Sequence, residues 1–242
     1  MAIDLDALRA KHAELTKQTS PEGDGFIKNF LQLNEGTNVV RVLPGKEDDS
    51  MFYAETKIHR VYEEDGAVHN YHCLKVHGDS CPLCDAYYGL WKTGSKDDET
   101  TARQIKPRAR YYMNVVDRES GDVKILSVGI ILFKKMIAAM LDEDFGDITD
   151  LQEGHDFKII KQMEGQWPRY DQSAPRPKSS PTGSNSEVAA YMESLHDISS
   201  LVRKENYEDI KKVAENILPT SVRERKYEDN QETEDYLSKM QS

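Results

Sequence analysis

Cys73, Cys81 and Cys84 fall within twelve residues, and the rest of the 242-residue chain has no cysteine. Cys81-Pro82-Leu83-Cys84 is a Cys-x-x-Cys knuckle, and His59, His69, His72 and His77 lie close by in sequence. Two thiolates from such a turn reach one metal ion. Zinc favours four nitrogen or sulfur ligands at tetrahedral corners, so Cys73 and one histidine complete a set. Three thiolates and an imidazole leave no corner for water or substrate, which predicts a structural zinc rather than a catalytic one. A redox dithiol would instead follow a strand and open a helix in a βαβ pattern, whereas Asp79-Ser80 approaches the knuckle as a loop. Three unrelated buried thiols in a reducing compartment are the plainest alternative. A zinc deaminase places its proline before the knuckle, and here Pro82 sits inside it.

Positioning these ligands requires strands and turns, and the chain supplies them. Alternation over Phe26, Lys28, Phe30 and Gln32, a turn at Glu35-Gly36, and Val39 to Leu43 stopped by Pro44-Gly45 predict two antiparallel strands. Glu55 to Tyr62 and Val68 to Leu74 predict a hairpin turned by Glu63-Glu64-Asp65-Gly66, with Cys73 near its end. Residues 93–102 read as an exposed loop that closes the metal insertion. Arg108 to Val116 and Asp122 to Val128 flank the hairpin signal Glu119-Ser120-Gly121. Leu132, Met136, Ile137, Met140 and Leu141 trace a helical face, and a hairpin of Asp156 to Met163 with Gln166 to Tyr170 turns at Glu164-Gly165. Residues 171–186 read as a Pro- and Ser-rich loop, followed by two helices marked by Val188 to Ile198 and by Ile210, Val213 and Ile217.

These elements predict a mainly β fold with flanking helices. It is a five-stranded OB-fold barrel carrying an inserted zinc-binding subdomain at about 51–102 and C-terminal helices at about 186–218. The expected organisation is an N-terminal arm over 1–20, a core domain over 21–222 and a short acidic tail over 223–242. The N-terminus has no basic start or apolar h-region, and no run is long enough to cross a bilayer, so a soluble, cytoplasmic protein is expected.

The formal net charge is -11, but the charge is segregated. Residues 101–140 carry Arg103, Lys106, Arg108, Arg110, Arg118, Lys124, Lys134 and Lys135 against Asp117, Glu119 and Asp122, and residues 141–156 carry acids and no base. Cations interleave with rings three times: Lys106, Arg108 and Arg110 run into Tyr111 and Tyr112; Lys57 and Arg60 precede Tyr62; Trp167, Arg169 and Tyr170 repeat the combination. Single-stranded nucleic acid asks for this mixture of phosphate-binding cations and base-stacking rings. Because alternate side chains share a strand face, at least one of Tyr111 and Tyr112 is expected to be core.

Val39-Val40-Arg41-Val42-Leu43-Pro44, the His59 to Cys73 spacing, His77-Gly78-Asp79-Ser80-Cys81-Pro82-Leu83-Cys84, and Lys161 to Gly165 through Tyr170-Asp171 resemble the helix-destabilising single-stranded DNA-binding protein of T-even-type bacteriophages, in order, over roughly residues 20–218. The resemblance implies an OB-fold with an inserted zinc subdomain and single-stranded DNA held between them. It implies His59 as the fourth ligand beside Cys73, Cys81 and Cys84, while spacing alone leaves His69 and His77 open. It also implies DNA contacts at Arg110, Tyr111, Tyr112, Trp167 and Tyr170, which join Arg41, Lys57, Arg60, Tyr62, Lys106, Arg108 and Arg169 as the candidate set. The family's basic N-terminal run is here the looser Arg9, Lys11 and Lys17, and its long acidic tail is short.

The expected function is coating of unpaired DNA during phage replication, recombination and repair in the infected bacterial cell, with one structural zinc and no catalytic residue. Self-association along the strand and recruitment of phage replication and recombination proteins by the tail are expected with it, and a membrane partner is not. The alternatives are a zinc-containing RNA-binding module and a protein-interaction adaptor.

Overall fold

The structure is a computed structural model that describes residues 28–47, 50–62 and 66–218. The expected N-terminal arm, the acidic tail and part of the Glu63 to Gly66 turn lie outside the described residues. In chain order the strands and helices are β1 (Gly36–Val42), β2 (Tyr53–Tyr62), β3 (Val68–His72), α1 (Pro82–Lys92), α2 (Lys96–Ile105), β4 (Arg108–Asp117), β5 (Val123–Gly129), α3 (Ile130–Met140), β6 (Phe157–Glu164), β7 (Trp167–Arg169), β8 (Ala174–Pro175), α4 (Asn185–Glu193) and α5 (Tyr207–Ile217). The architecture is mainly antiparallel β with five α-helices among the described residues. The described residues divide into two compact units, one holding those up to Ala54 with Tyr111–Ile198, the other those of Glu55–Arg110 with those from Ser199 onward.

In the first unit β1 lies between β4 and β6, β7 continues on β6, β5 pairs with β4 and β8 with β6. Val40 faces Asp117 on one side and Phe157 on the other, both antiparallel. A strand covered on both faces reads as a continuous apolar run. Accordingly Tyr111 through Val116 are all buried, as are Val40, Val42, Phe157 and Ile159. Each of the apolar side chains among them contributes about 1.5 to 3 kcal/mol of transfer energy. Asn114 ties in the segment after α4 by donating from Nδ2 to the His196 carbonyl at 3.0 Å and accepting from the His196 N–H at 3.0 Å.

The second unit is built on the β2–β3 hairpin, in which His59 faces Tyr71 and Tyr62 faces Val68. Its core gathers Val61, Leu74, Leu83, Ala86, Leu90, Ala102 and Ile105 with the three cysteines and with Ile210, Ala214 and Leu218, so α5 packs here.

Two expectations need correction. The stretch from Phe26 was expected to form a strand, but its described part has only an isolated parallel bridge from Phe30 to Ile125. Residues 93–102 were expected to be a loop, yet Lys96–Ile105 is helix α2. Asp97, Asp98 and Glu99 sit in its first turn and Arg103 in its last, which complements the helix dipole.

Candidate metal centre and nucleic-acid interface

Strand pleating sets the first ligand. His59 and Val61 point inward on β2, while Arg60 and Tyr62 are exposed on the other face. Cys73 follows β3 directly, held by its N–H donating to the Lys57 carbonyl at 2.8 Å. The short 3-10 turn Leu74–His77 ends at Gly78 with φ 83°, a left-handed conformation that suits glycine. Cys81 is the N-cap of α1, Pro82 occupies its first turn without losing a needed N–H, and Cys84 lies one turn in. Both knuckle sulfurs therefore sit at a helix N-terminus, where the dipole favours thiolate.

His59, Cys73, Cys81 and Cys84 are all buried, with one ligand atom each and all four atoms within 4.8 Å of one another. Cys73 Sγ is 3.5 Å from Cys84 Sγ, and His59 Nε2 is 3.6 Å from the sulfurs of both Cys81 and Cys84. A tetrahedral zinc with S at about 2.3 Å and N at about 2.0 Å has edges of roughly 3.8 Å between sulfurs and 3.5 Å between sulfur and nitrogen. The observed edges fit such an ion, and the cluster could hold zinc. His59 Nδ1 donates to the Ile105 carbonyl at 2.7 Å, which fixes the tautomer that turns Nε2 toward the sulfurs.

Hydrogen bonds from Cys73 and Cys84 hold the Cys81 thiol well below its ordinary range, while hydrogen bonding to Cys73 and Cys81 together with burial pushes Cys84 up. Burial alone would lower the His59 ring, but hydrogen bonds to Cys73, Cys81 and the Ile105 carbonyl outweigh it and raise its pKa to about 9. Three thiols packed this closely can all ionise only against a cation.

Of the histidines that spacing left open, His59 joins the sulfurs. His77 is exposed and bonded through Nε2 to the Arg203 carbonyl at 3.2 Å, and the exposed His69 ring lies against Tyr71.

In the second unit Lys57, Arg60, Lys106 and Arg108 are exposed and Arg110 is half-buried. Arg60 lies 5.8 Å from the Tyr62 ring centroid, and Tyr62 is 48% exposed. Not selected from the sequence were Tyr88 and Trp91, 54% and 45% exposed on α1, with Lys75 and Arg103 over their rings. Their three-residue spacing on a helix was the available signal.

In the first unit Trp167 is 68% exposed. Arg169 is exposed but engaged, Nη1 to Glu164 and Nε to Asp171, both at 3.0 Å. Tyr170 lines an open recess of about 370 Å³ with Phe30, Leu31, Leu33, Ser127 and Lys161.

Three candidates are not surface groups. Arg41 is fully buried in the strand between β4 and β6, with Nε on Asp156 at 3.0 Å, Nη1 on Thr182 at 3.2 Å and Nη2 on the Ser180 carbonyl at 2.8 Å, so it ties core to loop and offers nothing to a phosphate. Tyr111 stacks on Phe133 at 3.7 Å between centroids, and Tyr112 meets Phe30 edge-on at 6.3 Å. The expectation of at least one core tyrosine holds for both, because β4 is covered on both faces there.

No curated protein matches the chain. A family model described as gp32 DNA binding protein like matches residues 34–219, a span that takes in all four candidate ligands and every candidate contact. The chain belongs to that gp32-like DNA-binding protein family.

Proposed function

We propose that the protein binds single-stranded DNA without sequence preference, coating and protecting unpaired strands during phage replication, recombination and repair in the cytoplasm of an infected bacterial host. The observation that carries this reading is the family match over residues 34–219. In this reading the first unit is a five-stranded OB barrel and the second its zinc subdomain, with one structural ion held by His59, Cys73, Cys81 and Cys84. When bound, the ion supplies a fixed tetrahedral anchor. Lys57, Arg60, Lys106, Arg108 and Arg110 engage phosphates, and Tyr62, Trp167 and Tyr170 stack on bases, each stack contributing about 1 to 3 kcal/mol.

No catalytic residue is assigned. A ligand that prefers the single strand removes secondary structure by mass action alone. The test is a titration with poly-dT, followed by tyrosine and tryptophan fluorescence at a series of salt concentrations. Five phosphate contacts predict a slope of log K against log salt of about -3.5 for a single strand. An affinity indifferent to salt overturns the proposal.

A further inference from the structure

We infer that His59 has a second role as a positioning residue: through Nδ1 it fixes the place where α2 stops and the cationic start of β4 begins. The consequence for binding rests on the single-stranded DNA reading above; the structural claim does not.

Ile105 is the last residue of α2, so its carbonyl is among the acceptors that have no partner within the helix. A helix commonly satisfies such groups by N–H donation from the residues that follow it, often with glycine in a left-handed cap. Here Lys106 is the cap residue at φ -50° and ψ 128°, and next comes Pro107, which has no N–H to give. His59 supplies a donor instead, at 2.7 Å. The imidazole is fully buried and Ile105 is 2% exposed within the same apolar core. A hydrogen bond in that environment is worth more than one in water.

One ring therefore joins two things. Nε2 reaches the sulfur cluster, and Nδ1 holds the carbonyl immediately before Lys106-Pro107-Arg108-Ala109-Arg110, the densest run of cations among the proposed contacts. Pro107 has a fixed φ, so a displacement of the Ile105 carbonyl passes to Arg108 with little slack. A ring oriented on both nitrogens sets the strand start, whereas a ring free to turn does not. Filling the cluster is thereby coupled to the alignment of Lys106, Arg108 and Arg110.

Two variants of the full chain separate this role from ligation. Cys84→Ser removes a sulfur and keeps the Nδ1–H; His59→Gln removes the ring ligand and the ring Nδ1–H together. Amide exchange at Lys106, Arg108, Ala109 and Arg110 is expected to be slowest in the zinc-loaded wild type, faster in Cys84→Ser and fastest in His59→Gln. The salt slope for oligo-dT is expected to fall in the same order, by about 2 for His59→Gln as three contacts of roughly 0.7 each are lost. A general loss of folded protein would lower binding stoichiometry and leave the slope alone. Equal exchange and equal slopes in the two variants would overturn the inference, since His59 would then act as a ligand only. If neither variant folds, zinc-loaded and chelated wild type are compared: at least tenfold faster exchange at these four amides on chelation is expected, and no change there overturns the inference. If no form binds oligo-dT, the DNA reading fails while the exchange pattern still decides the role of His59.

Discussion

Asp156 presents one carboxylate to three guanidinium groups: Arg41 Nε at 3.0 Å and Arg118 Nη2 at 2.8 Å from one oxygen, and Arg176 Nη1 at 3.9 Å from the other. Burial lowers the Arg41 pKa, and Asp156 is the main opposing influence. Removing one partner of a buried pair leaves an uncompensated charge, so Asp156→Ala is expected to lose about 3 to 5 kcal/mol in denaturant unfolding. Arg176→Ala, at a half-exposed end of the network, is expected to lose under about 1 kcal/mol. A small effect of Asp156→Ala would show that Arg41 finds water or another acceptor. At the exposed extreme, Trp167→Ala is expected to weaken oligo-dT binding by about 1 to 3 kcal/mol without lowering the melting midpoint. Unchanged affinity would remove that ring from the contact set. The difference between Arg41 and Trp167 was not legible residue by residue. An arginine between two valines has the same local pattern whether its strand is an edge or a centre, and only the pairing of β1 on both sides decides it.

At the scale of elements, α5 contributes Ile210 and Ala214, and the residue after it Leu218, to the core that contains Cys73, Cys81 and Cys84. Ile210→Ala is expected to lose about 2 to 5 kcal/mol by cavity formation. On the zinc reading it should also speed metal loss to a chelator, because folding and metal binding share one free energy in such a site. A stable variant that holds metal as tightly as the wild type would separate α5 from the metal unit. The helix itself was readable from Ile210, Val213 and Ile217, as were the hairpins at Gly121 and Gly165, where positive φ makes glycine informative. Its packing partner was not, since periodicity reports a face and not what covers it. Helix α2 was missed for the opposite reason. Ala102 and Ile105 are its only buried residues, too few to show a stripe. The remaining signal lay in the acids of its first turn and the Glu99–Arg103 pair at 3.2 Å. The candidate metal set was the most legible feature, because ligand chemistry constrains residue type directly, yet choosing among the histidines needed the inward face of β2.

For the whole molecule, a net charge of -11 and affinity for a polyanion are compatible only if the charges act locally. Screening decides how local that is, with a Debye length of about 8 Å at physiological salt. Residues 227–242 carry Glu228, Asp229, Glu232, Glu234 and Asp235 against Lys239 alone. If the protein binds DNA as proposed, these carboxylates are expected to compete with it for the same lysines and arginines. Truncation after Ser221 is then expected to tighten oligo-dT binding at low salt by roughly three- to tenfold, with the gain vanishing as salt rises, because intramolecular competition and DNA binding are screened alike. Metal content and melting midpoint should not move, since the four ligands all lie between His59 and Cys84. A gain that persists at high salt would point to steric obstruction rather than charge. A large loss of affinity would mean that the acidic segment supports binding, and the competition account would have to be abandoned.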